Sequence, residues 1–221
     1  MIFGSILEAI GHTPVVELSR LSPKPGVRIL AKLEGQNPSG SVKDRIALEM
    51  IEDAERRGTL RPGQAILEPS SGNTGISLAL VARIKGYPVK IVMPDNASVE
   101  RRQILELLGA EIDLSDGRFG SNGSIDRAWE LTKTGDYFMP YQYGNEANPN
   151  AHYRTTGPEI IADVPDVDVF VARPGTGGTL MGVGRRLKEH NPSVRVIAVE
   201  PEQGDLVQGL RNLGDGFIPP I

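Results

Sequence analysis

Three short segments carry residue types that could bind an anion or form a covalent bond with a carbonyl compound. The first is NPSGSVKDR, where Lys43 lies in the first turn of a helix predicted to start at Ser41, with Asp44 completing a capping box. The helix dipole disfavours an ammonium group there, and burial would lower the lysine pKa further. Lys43 is therefore a candidate for a neutral amine that forms a Schiff base, although solvated surface lysines are commoner.

The second segment, EPSSGNTG, follows a predicted strand and opens an apolar helix at residues 68–75. Its hydroxyl groups, together with the backbone N–H groups of a helix start, favour binding of a carboxylate or a phosphate. Simple N-capping would explain one of these polar residues but not all of them.

The third segment, RPGTGGTLMG, also follows a predicted strand and precedes a helix. Its glycines permit close backbone approach to a phosphate. A competing interpretation is a dinucleotide fingerprint, in which Gly175 and Gly177 match, Leu180 replaces the third glycine and Glu200 mimics the ribose-binding acid. A pyridoxal phosphate enzyme needs an amine, a phosphate site and a carboxylate site, and the three segments together offer all of them.

Alternating strands and helices must position these segments. The alternation predicts β-α-β units and therefore an α/β fold with open parallel sheets. The predicted strands are Val15–Leu18, Arg28–Leu33, Ala65–Leu67, Val89–Met93, Glu111–Leu114, Tyr137–Met139, Val167–Ala172 and Val194–Val199. The predicted helices are Ser41–Arg57, Thr74–Lys85, Ser98–Leu108, Ser124–Thr132, Tyr153–Ala162 and Thr179–His190.

The pattern also predicts three details of local structure. The continuously apolar centres of KIVMP, VDVFVA and RVIAVE are typical of strands buried on both faces. Gly109 is a plausible residue just past a helix end, and Gly120–Gly123 is predicted to be a mobile surface loop. Ligands of such sheets bind beyond the carboxyl ends of the strands, where all three segments begin or lie.

Composition excludes several classes of function. Lys plus Arg is 24 and Asp plus Glu is 28, and the resulting charge of −4 disfavours nucleic-acid and anionic-membrane binding. The absence of cysteine excludes a disulfide scaffold and a cysteine nucleophile, and three widely separated histidines make a metal site unexpected. With neither a secretory N-terminus nor an 18-residue apolar run, the chain is predicted to be cytoplasmic.

SVKDR, EPSSGNTG and GTGGT, in this order, resemble the cysteine synthase and cystathionine β-synthase family of pyridoxal phosphate enzymes, of fold type II. The resemblance extends from GHTPVVEL to the end of the chain. It implies two α/β domains, a smaller mobile one at residues 34–143 and a larger one formed by residues 1–33 and 144–221. Because family members are longer, it also implies that the second domain is incomplete.

The resemblance assigns roles to individual residues. Lys43 would hold pyridoxal 5′-phosphate covalently and act as the catalytic base, and Asn73 would bind the 3′-oxygen of the cofactor. The cofactor phosphate would be bound by Gly175, Thr176, Gly177, Gly178 and Thr179. The substrate carboxylate would be bound by Ser70, Ser71, Gly72, Thr74 and Gln142.

The implied activity is β-replacement, which makes L-cysteine from O-acetylserine or O-phosphoserine and a sulfur donor in a homodimeric enzyme of the transferase or lyase class. The stretch EPEQGDLVQGLRN followed by GFIP is most similar to the cysteine synthase B branch, in which Arg211 would meet a substrate phosphate. Three alternatives stay open: cystathionine β-synthase acting on serine and homocysteine, a dinucleotide-binding oxidoreductase, and a catalytically silent truncated homologue.

Overall fold

The computed structural model describes residues 2–204, 212–215 and 220 of the chain. Within these residues every predicted strand is present, and the bounds differ by only a few residues. The strands are β1 Val15–Glu17, β2 Leu30–Lys32, β3 Ala65–Pro69, β4 Val89–Pro94, β5 Glu111–Ser115, β6 Tyr137–Phe138, β7 Val169–Ala172 and β8 Arg195–Ala198. The α-helices are α1 Lys43–Arg56, α2 Asn73–Lys85, α3 Val99–Leu107, α4 Gly120–Thr132, α5 Ala147–Arg154, α6 Thr156–Asp163 and α7 Gly178–His190.

Parallel pairing joins the strands that carry the candidate segments. Strands β5, β4, β3 and β6 form a four-stranded parallel sheet in that order, and β7 and β8 form a two-stranded parallel sheet. The predicted α/β class is therefore confirmed. Strands β1 and β2 instead pair antiparallel, because the connection between them holds only a short 3-10 helix at Ser19–Leu21 and no crossover helix.

The largest hydrophobic cluster lies between α1, α2 and the four-stranded sheet. The predicted apolar face of α1 is buried there, and its members are Ile46, Ala47, Met50, Ile51 and Ala54. Ala147 and Ala151 of α5 join the same cluster, so packing extends across the predicted domain boundary at residues 143 and 144. The division into two domains therefore stays a prediction.

The predicted capping box of α1 is wrong. The helix begins at Lys43, and the Ser41 hydroxyl accepts the Lys43 N–H at 3.2 Å. The carboxylate of Asp44 accepts from the backbone N–H and the hydroxyl of Ser39, so it stabilises the preceding loop instead of returning to Ser41. Ser39, and not Ser41, bonds Asp44 because the chain reverses direction at Gly40, which has a φ of +86°.

Three further predictions of local structure are wrong. Strands β7 and β8 are not buried on both faces, since Val171 is 55% and Val196 37% exposed, whereas β4 is buried as predicted. Gly120–Gly123 is not a loop but the first turn of α4, where the Ser124 hydroxyl bonds the Ser115 hydroxyl at 2.8 Å in the interior. The helix predicted at Tyr153–Ala162 corresponds mainly to α6, Thr156–Asp163, whereas helix α5, Ala147–Arg154, was not predicted and is separated from α6 by a break at Thr155. Pro158 explains the break, because proline cannot donate to the carbonyl four residues earlier and its ring clashes with that turn.

Helix α2 and the end of α3 match their predictions. Most of α2 from Thr74 to Ala82 is buried, as its apolar sequence indicates. Gly109 has a φ of +82° and follows the end of α3, as predicted. Among the residues that the structure describes, no helix is both long enough and apolar enough to cross a membrane.

Candidate functional site

Lys43 is the first residue of α1, and two features of its surroundings lower the pKa of its amine. Burial is the larger cause that lowers its pKa, and the positive charge of Arg173 lowers it further, to about 8. A lysine with that pKa is substantially neutral near pH 8, whereas an ordinary lysine is almost fully protonated. The amine is therefore suited to nucleophilic attack and to proton transfer.

The loop between β3 and α2 contains the predicted carboxylate-binding residues. The Ser70 hydroxyl accepts the backbone N–H groups of Gly72 at 3.3 Å and Gly75 at 3.1 Å, so Ser70 shapes the loop from within. Ser71 and Gly72 are half-buried, and Asn73 is exposed as the first residue of α2. Because Gly72 precedes the helix and has no side chain to cap it, the helix start can present its N–H groups to an anion.

The loop between β7 and α7 contains the predicted phosphate-binding residues. Gly177 precedes the helix with a φ of +90°, a left-handed conformation that favours glycine. At Gly178 a Cβ atom would lie 1.9 Å from Oδ1 of Asn148, so only glycine fits. The start of α7, like that of α2, has no side-chain cap from the preceding residue.

A chain of hydrogen bonds connects these two helix starts. The Thr74 hydroxyl donates to Oε1 of Gln142 at 2.7 Å. The Asn148 amide donates both to the carbonyl oxygen of Gln142 at 2.9 Å and to the Thr176 hydroxyl at 2.8 Å. The structure thus brings together Thr74, Gln142 and Thr176, three predicted residues that are up to 102 positions apart in the chain.

Three residues of this region were not predicted from the sequence. Glu68 accepts the backbone N–H groups of Tyr141 and Gln142, Asn148 bridges the two loops, and His152 bonds the Thr179 hydroxyl at 3.1 Å. An acidic residue at the end of an apolar strand was a usable signal for Glu68. Asn148 and His152 lie inside α5, and nothing in their local sequence distinguishes them.

His152 is fully buried and faces hydroxyl groups on two other helices. Its Nδ1 lies 3.0 Å from the Thr156 hydroxyl of α6, and its Nε2 faces Thr179 of α7. Burial, with the nearby charges of Lys43 and Arg45, lowers its pKa to about 3. The ring is therefore neutral, with one nitrogen donating and the other accepting.

The predicted substrate contact Arg211 falls outside the described residues. An open cavity of about 640 Å³ lies between β1, β2 and α6, and residues such as His12, Arg28 and Asp163 line it. None of the predicted site residues lines this cavity, so it is separate from the linked helix starts.

The chain matches one family model and is similar to several known proteins. A family model described as pyridoxal-phosphate dependent enzyme matches residues 6–217. A cysteine synthase of Staphylococcus aureus strain N315 is 47% identical over 224 aligned positions, which cover 97% of this chain and 72% of that protein. A cysteine synthase of Flavobacterium sp. is 46% identical, covering 100% of this chain and 75% of that protein.

Solved structures agree as well. O-ureido-L-serine synthase has a TM-score of 0.93 at 42% identity, covering this whole chain and 72% of that one. Cysteine synthase of Entamoeba histolytica has a TM-score of 0.92 at 42% identity, covering this whole chain and 69% of that one. These relatives do not favour the alternatives of a cystathionine synthase or a dinucleotide-binding oxidoreductase.

Proposed function

Because the chain belongs to the pyridoxal-phosphate dependent enzyme family, we propose that it makes L-cysteine by β-replacement on an O-activated serine. Its predicted cofactor, pyridoxal 5′-phosphate, and its predicted α/β architecture of fold type II are those of the family. The observation that carries the proposal is the hydrogen-bonded connection between the starts of α2 and α7, with the low-pKa amine of Lys43 at the start of α1.

The residues present fit this cofactor. Oδ1 of Asn148 is buried without a hydrogen-bond partner and faces Gly178, in a cradle that any side chain at that position would fill. A helix start with bare glycines suits the cofactor phosphate, and an amine with a pKa of about 8 suits its aldehyde. When bound, pyridoxal phosphate supplies an electrophilic carbon and a ring that stabilises negative charge on the substrate α-carbon.

In this proposal Lys43 holds the cofactor and then moves the substrate proton. Its amine accepts the proton of the substrate α-carbon, because a lysine with a pKa of about 8 has a substantial neutral fraction in the working range of pH. Loss of that proton allows the leaving group on the neighbouring β-carbon to depart. A sulfur nucleophile then bonds to the β-carbon, and the protonated amine of Lys43 returns a proton to the α-carbon.

The other predicted residues bind and orient. Asn73, exposed at the start of α2, is proposed to bind the 3′-oxygen of the cofactor. The cofactor phosphate is proposed to bind Gly175, Thr176, Gly177, Gly178 and Thr179. The substrate carboxylate is proposed to bind Ser70, Ser71, Gly72, Thr74 and Gln142.

The substrate is proposed from the relatives. Several are cysteine synthases, and one Entamoeba histolytica structure is an O-acetylserine sulfhydrylase. O-acetylserine and a sulfide donor are therefore the first substrates to assay, and O-phosphoserine, for which Arg211 was predicted, is the second. The predicted homodimer, the cytoplasmic location and the domains at 34–143 and at 1–33 plus 144–221 belong to this proposal and rest on the resemblance.

Borohydride reduction tests the cofactor site. After incubation with pyridoxal phosphate and mild reduction, peptide mass spectrometry should find the cofactor on the peptide that contains Lys43. Lys43→Ala should abolish both this label and cysteine formation from O-acetylserine and sulfide, whereas Lys188→Ala, which alters an exposed lysine of α7, should abolish neither. Labelling at Lys32, Lys85 or Lys188 in the native protein would contradict the assignment.

A further inference from the structure

Glu68 is a fully buried carboxylate to which the proposed reaction gives no role. It lies near the end of β3, two residues before the loop that opens α2. Its two oxygens accept consecutive backbone N–H groups, that of Tyr141 at 2.8 Å and that of Gln142 at 3.1 Å. A buried carboxylate is costly unless it is hydrogen-bonded, so these two bonds account for its being tolerated in the interior.

The segment held by Glu68 has an unfavourable backbone conformation. Tyr141 has a φ of +53°, in the left-handed region, which is unfavourable for a residue with a side chain. Hydrogen bonds on the N–H of Tyr141 and on the next N–H offset this cost. We call residues 141–142 the Tyr141–Gln142 turn, and Glu68 fixes it from the side of β3.

The Tyr141–Gln142 turn determines where the Gln142 side chain lies. Gln142 is buried, its Oε1 accepts the Thr74 hydroxyl proton, and its carbonyl oxygen accepts from Asn148. Since Oε1 is engaged with Thr74, the Nε2 group of the same amide is the part that can donate to an anion. A shift of the turn would therefore move both the Gln142 amide and its bond to the start of α2.

We propose that Glu68 is a positioning residue for the amino-acid substrate: by fixing the Tyr141–Gln142 turn it holds Gln142 against Thr74, where the substrate carboxylate binds. The proposal rests on the proposed function, because that function puts a carboxylate at this helix start. Glu68 touches neither substrate nor cofactor in this scheme. Its effect should therefore appear in binding of the amino acid and not in binding of the cofactor.

The test compares Glu68→Gln with a matched control. Gln has the same shape, but its NH2 group cannot accept, so one of the two backbone N–H groups loses its partner. The control is Leu67→Val, which alters the equally buried residue next to Glu68 on β3. Leu67 and its other neighbour, Ile66, belong to different hydrophobic clusters. Leu67→Val reports the effect of a small loss of packing that leaves the turn's hydrogen bonds in place.

Two measurements are needed for each protein. Amide hydrogen exchange at Tyr141 and Gln142, in protein without cofactor, reports whether the turn has loosened. Titration of cofactor-loaded protein with L-alanine, which has the carboxylate but no leaving group, reports binding of the amino acid. Glu68→Gln should speed exchange at both amides and weaken L-alanine binding about tenfold or more, the usual effect of losing a bond to a charged group. Pyridoxal phosphate affinity should stay within about twofold, and Leu67→Val should change neither readout by more than that.

The double variant Glu68→Gln with Gln142→Ala distinguishes positioning from general loosening. If Glu68 acts through Gln142, Glu68→Gln should weaken L-alanine binding little further in a protein that already carries Gln142→Ala. Additive losses of L-alanine affinity would overturn the proposal, and so would unchanged L-alanine binding in Glu68→Gln. If Glu68→Gln fails to fold, Glu68→Asp takes its place. Asp keeps the charge, but its shorter side chain moves both oxygens away from the two backbone N–H groups.

Failure of the proposed function is recognised separately. Native protein that binds pyridoxal phosphate but no amino acid contradicts the carboxylate site, and the Glu68 proposal is overturned with it. Native protein that binds L-alanine with unchanged affinity in Glu68→Gln overturns only the role of Glu68. The result with native protein therefore shows which of the two proposals has failed.

Discussion

Two strand–loop–helix units of similar design are supported in different ways. The β3 unit comprises β3, the Ser70–Gly72 loop and α2, and the β7 unit comprises β7, the glycine loop and α7. Strand β3 is paired with β4 on one side and β6 on the other, and its Ile66 and Leu67 are fully buried. Among the described residues β7 pairs only with β8, and its Val171 is 55% exposed.

The β7 unit is instead fixed by helix α5. At Gly182 of α7 a Cβ atom would lie 2.1 Å from the Pro149 carbonyl oxygen, so the two helices are in close backbone contact. Asn148 and His152 of α5 also bond the Thr176 and Thr179 hydroxyls. The loop and first turn of a helix can therefore be held in place by a sheet, as in the β3 unit, or by a neighbouring helix, as in the β7 unit.

The largest expected effect concerns the sheet that supports the β3 unit. Ile91 of β4 lies opposite Glu68 in the sheet and is fully buried, so Ile91→Ala should lower the free energy of unfolding by about 2–5 kcal/mol. Val171→Ala in the exposed part of β7 should cost about 0.5 kcal/mol or less. Urea unfolding at one pH measures both, and similar losses would mean that the two strands are supported alike.

A smaller effect should appear at the contact between α5 and α7. Gly182→Ala forces a methyl group against the Pro149 carbonyl oxygen and should cost about 1–3 kcal/mol, with weaker cofactor binding because the first turn of α7 moves. The matched control is Gly75→Ala in α2, where the nearest atoms lie 3.3 Å and 3.4 Å away and need to move little. If Gly75→Ala proves the more harmful, α5 is not the principal support of α7.

Local sequence patterns predicted the elements of both units. The strands, the buried character of α2 and the apolar face of α1 follow from hydrophobic periodicity, which depends only on near neighbours in the chain. Helix α5 was missed because its sequence, ANPNAHYR, is mostly polar and shows no apolar periodicity. The helical conformation of Gly120–Gly123 was missed because glycine is typical of loops. In the structure the hydrogen bond between Ser124 and Ser115 of β5 favours the helix.

Connections between distant residues could not be predicted in this way. Motif resemblance supplied Lys43 and the two loops, but it gave no reason why Gln142 should lie beside Thr74. The reason is Glu68 near the end of β3, which bonds the Tyr141–Gln142 turn that follows the neighbouring strand β6. Sequence spacing contains no information about a contact between residues 68 and 142, which exists only because β3 and β6 are neighbours in the sheet.

The pH dependence of stability should distinguish the units, because β3 carries an ionisable residue and β7 carries none. Burial raises the pKa of Glu68 from 4.5 to about 7, and the two backbone N–H bonds only partly oppose it. Between these pH values the folded protein holds a proton that the unfolded chain has released. Stability from this group is therefore full below pH 4.5 and is lost as the pH rises towards about 7.

Urea unfolding of the native protein and Glu68→Gln at pH 5, 6, 7 and 8 measures this loss. The native protein should lose up to about 1.4 kcal/mol per pH unit more than Glu68→Gln between pH 5 and 7, the slope for one proton. Above about pH 7 the two curves should become parallel. Curves that are parallel from pH 5 upwards would mean that Glu68 is ionised throughout and that its pKa is not raised.

The smallest expected effect concerns the residue that follows each strand. Ser70 follows β3, whereas the cation Arg173 follows β7, so only the β7 unit brings positive charge near Lys43. Arg173→Ala should raise the pKa of Lys43 above about 8 but leave it below the usual 10.5, because burial is the larger cause.

Since the amine reacts only when neutral, the pH midpoint of its acetylation should move upwards. Peptide mass spectrometry of cofactor-free protein measures that midpoint, with Arg195→Ala, on the neighbouring strand β8, as the control that should leave it unchanged. A midpoint that stays in place or falls in Arg173→Ala would mean that burial alone sets the Lys43 pKa, and that the two units do not differ in the charge they bring to it.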